Sequence, residues 1–194
     1  MEILENELMS KHTSFKVGGA ARYFAKAESA SQVKEAILFA QNKSLPFFIL
    51  GNGTNLLVSD EGYNGVIITL GRSFSNVEDL GNGKFKVGAA TPLGGFARKT
   101  IKQGFDGIHK LAGIPGTLGG AIYMNAGAYG QDVSQTCVEV ESMDATGHLM
   151  VRPAAECGFS YRHSIFQELA TARDQDKDHS EIILSATFQL ASAE

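Results

Sequence analysis

The chain has 194 residues, enough to bury a core as one domain or as two small ones. An apolar share of 43% and a charged share of 20% are those of an ordinary globular protein, and no apolar run nears the roughly 20 residues a membrane helix needs. A net charge of -4 without a basic stripe argues against nucleic acid as a partner, and the acidic start Met1-Glu-Ile-Leu-Glu-Asn-Glu does not read as an export signal, so a cytoplasmic location away from membranes is expected.

Ala21 to Ala27 predicts a short strand, and Ser31 then caps a helix whose Val33, Ala36, Ile37 and Ala40 share one face. A buried strand, Phe47-Phe48-Ile49-Leu50, runs into the turn Gly51-Asn52-Gly53-Thr54-Asn55, with further strands expected at Leu56-Leu57-Val58 and Val66-Ile67-Ile68. Lys84 to Ala90 predicts another strand. Pro92 opens a second helix with Leu93, Phe96, Ala97, Thr100 and Ile101 on one face, closed by Gly104. The segment Phe105 to Gly130 has too much glycine for a simple helix or strand. Its apolar residues Leu111, Ile114, Leu118, Ile122 and Met124 argue that it is ordered and has work to do. Strands resume at Val138 to Met143, His148 to Val151 and Glu181 to Leu190, and the charged stretch Thr171 to Ser180 reads as a solvated loop.

Two glycine-rich segments could carry chemistry. In Gly51-Asn52-Gly53-Thr54-Asn55 a tight turn lets several backbone N–H groups converge on an anion such as a pyrophosphate, although such a turn between strands is also a common structural device. It lacks the G-x-G-x-x-G spacing and following helix of a Rossmann unit. The run Leu111-Ala-Gly-Ile-Pro-Gly-Thr-Leu-Gly-Gly-Ala-Ile-Tyr-Met-Asn-Ala-Gly-Ala-Tyr-Gly130 is either a structural crossover or a backbone surface that passes close to a flat ligand. Together the two could clamp the ends of one large phosphate-bearing cofactor. Cys137 and Cys157 lie outside any C-x-x-C pair and read as reduced thiols, and the histidines show no metal-like pairing, so no metal is expected.

Five segments in order, Thr13-Ser-Phe-Lys-Val-Gly-Gly-Ala-Ala, Ile49-Leu-Gly-Asn-Gly-Thr-Asn-Leu-Leu, Ala112-Gly-Ile-Pro-Gly-Thr-Leu-Gly-Gly, Asn125-Ala-Gly-Ala-Tyr-Gly and Phe159-Ser-Tyr-Arg-His-Ser-Ile-Phe166, closely resemble the UDP-N-acetylenolpyruvoylglucosamine reductase family. The resemblance implies an α+β, two-subdomain FAD-binding fold of the vanillyl-alcohol oxidase (PCMH) type, with subdomains at 1–70 and 71–194 and FAD held non-covalently between them. His109, the one histidine near the loop, is in no recognisable attachment motif. It implies that Gly51, Asn52, Gly53, Thr54 and Asn55 take the phosphates and that Gly113, Ile114, Pro115, Gly116, Thr117, Gly120 and Ile122 take the rest of the cofactor. Thr54 stands where serine is commoner but keeps the hydroxyl.

The resemblance further implies NADPH as co-substrate and UDP-N-acetylglucosamine enolpyruvate as the molecule reduced, in peptidoglycan precursor synthesis. Arg162 would be catalytic, its guanidinium stabilising negative charge that develops toward the substrate carboxylate, and Tyr161 a substrate contact. Read without the motif, Arg162 is more readily a surface or ion-paired arginine, and Tyr161 is balanced between core packing and substrate contact. His163 reads as structural or solvent-facing and Ser164 as part of the turn. The family's reductases add a substrate domain with a proton-donating serine and an assisting glutamate. Neither has a matching position here, so the chain is expected to be a fragment or truncation, inactive alone; a non-catalytic FAD module and a small-molecule flavin oxidase of the same fold are the alternatives.

Overall fold

A parallel pair of strands cannot be joined by a tight turn, and the first third of the chain is built around that constraint. The structure, a computed structural model, describes residues 1–171, 173–174, 177–178 and 180–193, with backbone only for 173–174 and 177–178. Its residues group into two units, Met1–Ser73 and Phe74–Glu194.

In the first unit β1 (Ile3–Leu8) lies antiparallel on β2 (Ala20–Ala27). Helix α1 (Ala30–Asn42) crosses over to β3 (Phe47–Leu50), and β4 (Tyr63–Leu70) inserts parallel to both β2 and β3, giving the order β1-β2-β4-β3. The predicted face of α1, Val33, Ala36, Ile37 and Ala40, is the buried one. Its cap is Ser29, not Ser31: Ser29 has the extended backbone a cap requires and its hydroxyl accepts from the Gln32 N–H, while the Gln32 side chain accepts from the Glu28 N–H.

The strand expected at Leu56-Leu57-Val58 does not form. Leu56 and Val58 pack against the cluster Met9, Ala21, Phe24, Leu50 and Ile67, and Leu57 is 72% exposed, so burial alternates as in a strand. The backbone that follows is instead engaged by the Gly18-Gly19 pair, where Gly19 N–H donates to Ser59 O at 2.8 Å. A Cβ on Gly19 would sit 2.1 Å from Asp60 O, so only glycine admits this crossing.

In the second unit β5 (Val77–Gly81) and β6 (Lys84–Gly88) form a hairpin, followed by α2 (Leu93–Lys102) with Pro92 at its cap. Leu93, Phe96, Ala97 and Thr100 are buried as expected, whereas Ile101 is exposed because the buried stripe is narrower than the predicted one. Short strand β7 (Phe105–Asp106) and a 3-10 turn at His109–Gly113 lead into α3 (Leu118–Tyr123), so Phe105 to Gly130 contains regular structure despite its glycines. A small ribbon, β8 (Gly127–Ala128) with β9 (Gln131–Asp132), precedes β10 (Cys137–Asp144) and β11 (Leu149–Pro153). Helix α4 (Ile165–Thr171) follows.

Backbone pairing of β12 (Arg173–Asp174) with β13 (Lys177–Asp178) falls in the stretch read as a solvated loop; the solvation of those side chains lies outside the described residues. Strand β14 (Glu181–Gln189) completes the main sheet, order β11-β10-β14-β6-β5, and β15 (Ala191–Ser192) pairs with β7. The core of this unit is Phe85, Phe96, Leu111, Leu118, Ile122, Phe166 and Phe188, all buried, with Phe85 set edge-on to Phe96 at 6.0 Å between ring centres.

Candidate functional site

The glycine turn sits at the carboxyl end of β3, beside the carboxyl ends of its parallel neighbours, the position at which open α/β sheets bind ligands. Gly51, Asn52 and Asn55 are exposed, Thr54 is half-buried and Gly53 is buried. Gly53 has φ +61° and a Cβ there would lie 2.0 Å from His12 O, while Gly53 O accepts from Ser14 N–H at 3.0 Å. The segment beginning at Thr13 is therefore laid directly over the turn. It is fastened by the Thr13 hydroxyl donating to Val17 O at 3.0 Å. Gly53 thus serves the fold first: the bulk of a valine there would disturb the unit itself, and not ligand binding alone.

A groove of about 440 Å³ opens here, lined by Lys11, His12, Lys16, Lys26, Gly51 and Asn52 among others. Sequence reasoning passed over its lysines, for which the only signal was Lys16 inside the first of the five segments. Lys11 pairs with Glu7 at 3.3 Å and Lys26 with Glu28 at 3.0 Å. The Lys26 ammonium, followed by the Ser73 N–H, holds the Glu28 carboxyl below its usual range. Lys16 has no side-chain hydrogen bond or ion pair among the described residues and holds a left-handed backbone, φ +57°. The groove combines exposed turn backbone with a free cation, which is what an anionic phosphate group needs.

The second glycine segment belongs to the other unit. Leu93 N–H donates to Gly116 O at 3.0 Å, Leu118 N–H to Thr91 O at 2.8 Å and Gly119 N–H to Ala89 O at 2.9 Å, so this segment is bound along its length. Thr117 is buried and caps α3, its hydroxyl accepting from Gly120 N–H at 3.4 Å. Ile122 is wholly buried, so its side chain belongs to the core and cannot touch a cofactor. Leu118 and Ala121 are buried as well, while Ile114 is half-buried.

Gly113 is different. It is exposed, its φ is not positive, and a Cβ there would meet nothing within 4 Å. Neither strain nor internal crowding explains glycine at this position. Open space over a backbone without a side chain is compatible with close approach of a flat external ligand. Pro115 and Gly120 are exposed beside it in sequence, and Ile114 and Gly116 are half-buried.

Tyr161 and Arg162 form the tip of a two-residue hairpin closed by Ser160 N–H to His163 O and His163 N–H to Ser160 O, both 3.2 Å. Tyr161 is 90% exposed, which settles the packing alternative against it. Arg162 holds φ +55°, a left-handed backbone that costs a non-glycine residue about 1 kcal/mol, and its guanidinium lies 5.6 Å from the Tyr161 ring centre. No carboxylate pairs with it among the described residues, so the ion-paired reading does not hold. Arg162 is thus an exposed cation whose left-handed backbone closes a two-residue turn. His163 pairs with Glu168 at 2.7 Å, and the Ser164 hydroxyl donates to Tyr123 O at 2.7 Å, so both are structural.

Known proteins share the fold and part of the sequence. Residues 21–151 match the family described as FAD binding domain. UDP-N-acetylenolpyruvoylglucosamine reductase of Caldanaerobacter subterraneus subsp. tengcongensis is 43% identical over 163 residues, covering 84% of this chain and 53% of the relative. That of Protochlamydia amoebophila is 34% identical over 97% of this chain and 59% of the relative. The chain thus spans between half and two thirds of the length of these relatives. The crystal structure of the Thermus caldophilus UDP-N-acetylenolpyruvylglucosamine reductase matches all of this chain and 63% of its own with TM-score 0.78 at 30% identity. The 6-hydroxy-D-nicotine oxidase of Arthrobacter nicotinovorans, TM-score 0.69 at 16% identity over 98% of this chain and 42% of its own, shares the fold alone. The chain has the two-subdomain FAD-binding fold and belongs to the FAD binding domain family, in which the sequence relatives described above are UDP-N-acetylenolpyruvoylglucosamine reductases.

Proposed function

We propose that this sequence is the flavin-binding part of a cytoplasmic enzyme that reduces UDP-N-acetylglucosamine enolpyruvate with NADPH in peptidoglycan precursor synthesis. The observation that carries the reading is the strained, exposed and unpaired Arg162 at the hairpin tip. FAD, when bound, supplies the hydride chemistry. The chain's own residues do the rest. Backbone of Gly51, Asn52, Gly53, Thr54 and Asn55, with Lys16, holds the diphosphate. Backbone of Gly113, Ile114, Pro115, Gly116, Thr117 and Gly120 receives the planar ring system, the open face of Gly113 allowing close approach.

Arg162 acts where charge develops. Hydride addition at the enolpyruvyl methylene leaves negative charge delocalised toward the carboxylate, and a guanidinium, always charged and forked, stabilises that state more than it stabilises the neutral double bond. Tyr161, stacked beneath the guanidinium, limits its rotamers and offers a hydroxyl to the substrate. Ser164 is not assigned as proton donor, since its hydroxyl is committed to Tyr123 O. The polypeptide of 194 residues should therefore bind FAD without completing turnover.

The test is anaerobic stopped flow. Photoreduced protein is mixed with the enolpyruvyl substrate, and flavin absorbance is followed for this polypeptide and for the complete reductase carrying the same sequence. Fast reoxidation in the complete enzyme and slow reoxidation in the 194-residue polypeptide is expected. Failure of the complete enzyme to oxidise NADPH in a substrate-dependent way would overturn the assignment.

A further inference from the structure

Asn125 sits one residue past Met124, the C-cap of α3, in left-handed backbone with φ +37°, and is 3% exposed. At that position a helix accepts asparagine or glycine for conformational reasons alone. Its side chain does more than the cap demands. The amide nitrogen donates to Ser160 O at 2.9 Å, and the amide oxygen accepts from Ser134 N–H at 3.1 Å. One buried amide thus joins the start of the segment after β9 to the base of the hairpin that carries Tyr161 and Arg162. Ser160 O is also the acceptor that closes that hairpin from His163 N–H.

The same support is repeated on the far side of the tip. The Ser164 hydroxyl and the Gln167 amide both donate to Tyr123 O, at 2.7 and 2.8 Å, and the Gln167 amide donates to Arg162 O at 3.1 Å. Tyr123 O in α3's last turn and the Asn125 side chain just beyond the helix therefore hold the two feet of the hairpin, while the tip stays exposed. A buried amide bonded through both its nitrogen and its oxygen resists reorientation, because breaking either bond leaves a desolvated partner.

We infer that Asn125 is a positioning residue: it fixes the left-handed hairpin so that the Arg162 guanidinium is presented in one orientation. The inference rests on the reading of Arg162 as the charge partner of the reaction. Asn125 itself touches neither cofactor nor substrate in this assignment. A small displacement of a catalytic group can cost up to about a hundredfold in rate.

Asn125→Gly is the discriminating variant, because glycine keeps the left-handed backbone and the helix end and removes only the amide. Asn125→Asp is the second, since it keeps the acceptor for Ser134 N–H and deletes the donor to Ser160 O. In the complete reductase, both should retain FAD at parental occupancy and raise hydrogen exchange of the His163 amide by about tenfold, the worth of one lost hydrogen bond. Both should also slow flavin reoxidation by the enolpyruvyl substrate at saturation by at least about tenfold, and neither should slow it further when Arg162→Ala is already present.

Equal slowing in the Arg162→Ala background would overturn the proposal, as would parental reoxidation rates in Asn125→Gly. If Arg162→Ala itself reoxidised normally, the role of Arg162 would fall and the positioning role with it. An effect of Arg162→Ala without one of Asn125→Gly would remove the positioning role alone.

Discussion

Gly113 and Gly53 make a matched pair of perturbations, because an added methyl meets opposite surroundings at the two sites. At Gly113 the new Cβ has nothing within 4 Å and the backbone is not left-handed. Gly113→Ala should therefore leave stability within about 1 kcal/mol of the parent, with any change favourable through a less flexible unfolded chain. If the flavin ring rests there, the same methyl intrudes on it, and FAD affinity should fall at least about tenfold, or ~1.4 kcal/mol. At Gly53 the Cβ would stand 2.0 Å from His12 O in a backbone with φ +61°. Left-handed strain of about 1 kcal/mol and a forced backbone shift of about 1–3 kcal/mol add to roughly 2–4 kcal/mol, a fall in melting temperature on the order of 10 °C. The assay pairs thermal unfolding of the flavin-free chain with a fluorescence titration of FAD. Gly113→Ala binding FAD within about threefold of the parent would refute the placement of the ring, and Gly53→Ala melting with the parent would refute the clash.

Replacing Arg162 with alanine should leave FAD binding unchanged and slow substrate-driven reoxidation in the complete reductase by about 10²–10³, the range for removing one transition-state charge partner; stopped flow decides it. Arg162→Gly should abolish the reaction equally yet raise stability by about 1 kcal/mol, since glycine relieves the φ +55° strain, as denaturant melts would show. Glu181→Ala should destabilise the second unit by about 3–5 kcal/mol, because Arg152, four-fifths buried, loses its partner and Ser142 its acceptor. The buried thiols predict an alkaline limb. Burial pushes Cys157 up to about 11 and Cys137 up to about 12, so the folded state keeps protons that the unfolded chain loses above about 9. Their stabilisation is fully present below about pH 9 and is lost as pH rises toward those values, at about 1.4 kcal/mol per pH unit per thiol. Cys157→Ala should flatten part of that limb in chemical denaturation, and neither thiol should react with a disulfide reagent at pH 8 unless the chain is unfolded.

Periodicity made the helices legible: the buried face of α1 is the one that Val33, Ala36, Ile37 and Ala40 spell out. The same signal failed at Leu56 to Val58, where burial alternates but no strand forms and the backbone just beyond, at Ser59, accepts from Gly19, a contact no local pattern encodes. Motif order led to the turn, the glycine segment and the hairpin. It could not separate glycines required by crowding, such as Gly53, from Gly113, which is free of it, because that distinction lies in what each Cβ would touch. The burial of Ile122's side chain was hidden for a related reason: inside a functional-looking segment, a residue on the inner face of a six-residue helix still packs into the core. Lys16 and Asn125 stand inside two of the five segments, but neither the groove nor the tether could be read there, since both depend on segments brought together only by folding.

The place of β14 in its sheet governs when the second unit can exist during synthesis. It lies between β10 and β6, pairing with strands that left the ribosome roughly 40 and 100 residues before it. Until Glu181–Gln189 emerges, those two neighbours are open edges, and the side chains of β14, nearly all buried, are missing from the core between them. The first unit has no such debt, since its four strands and crossover helix are contained within 73 residues. On a translating ribosome the Gly51 turn should thus be formed while the Arg162 hairpin still hangs from an unfinished sheet, and a pause or frameshift before Glu181 would strand the second unit with its edges unpaired and prone to association.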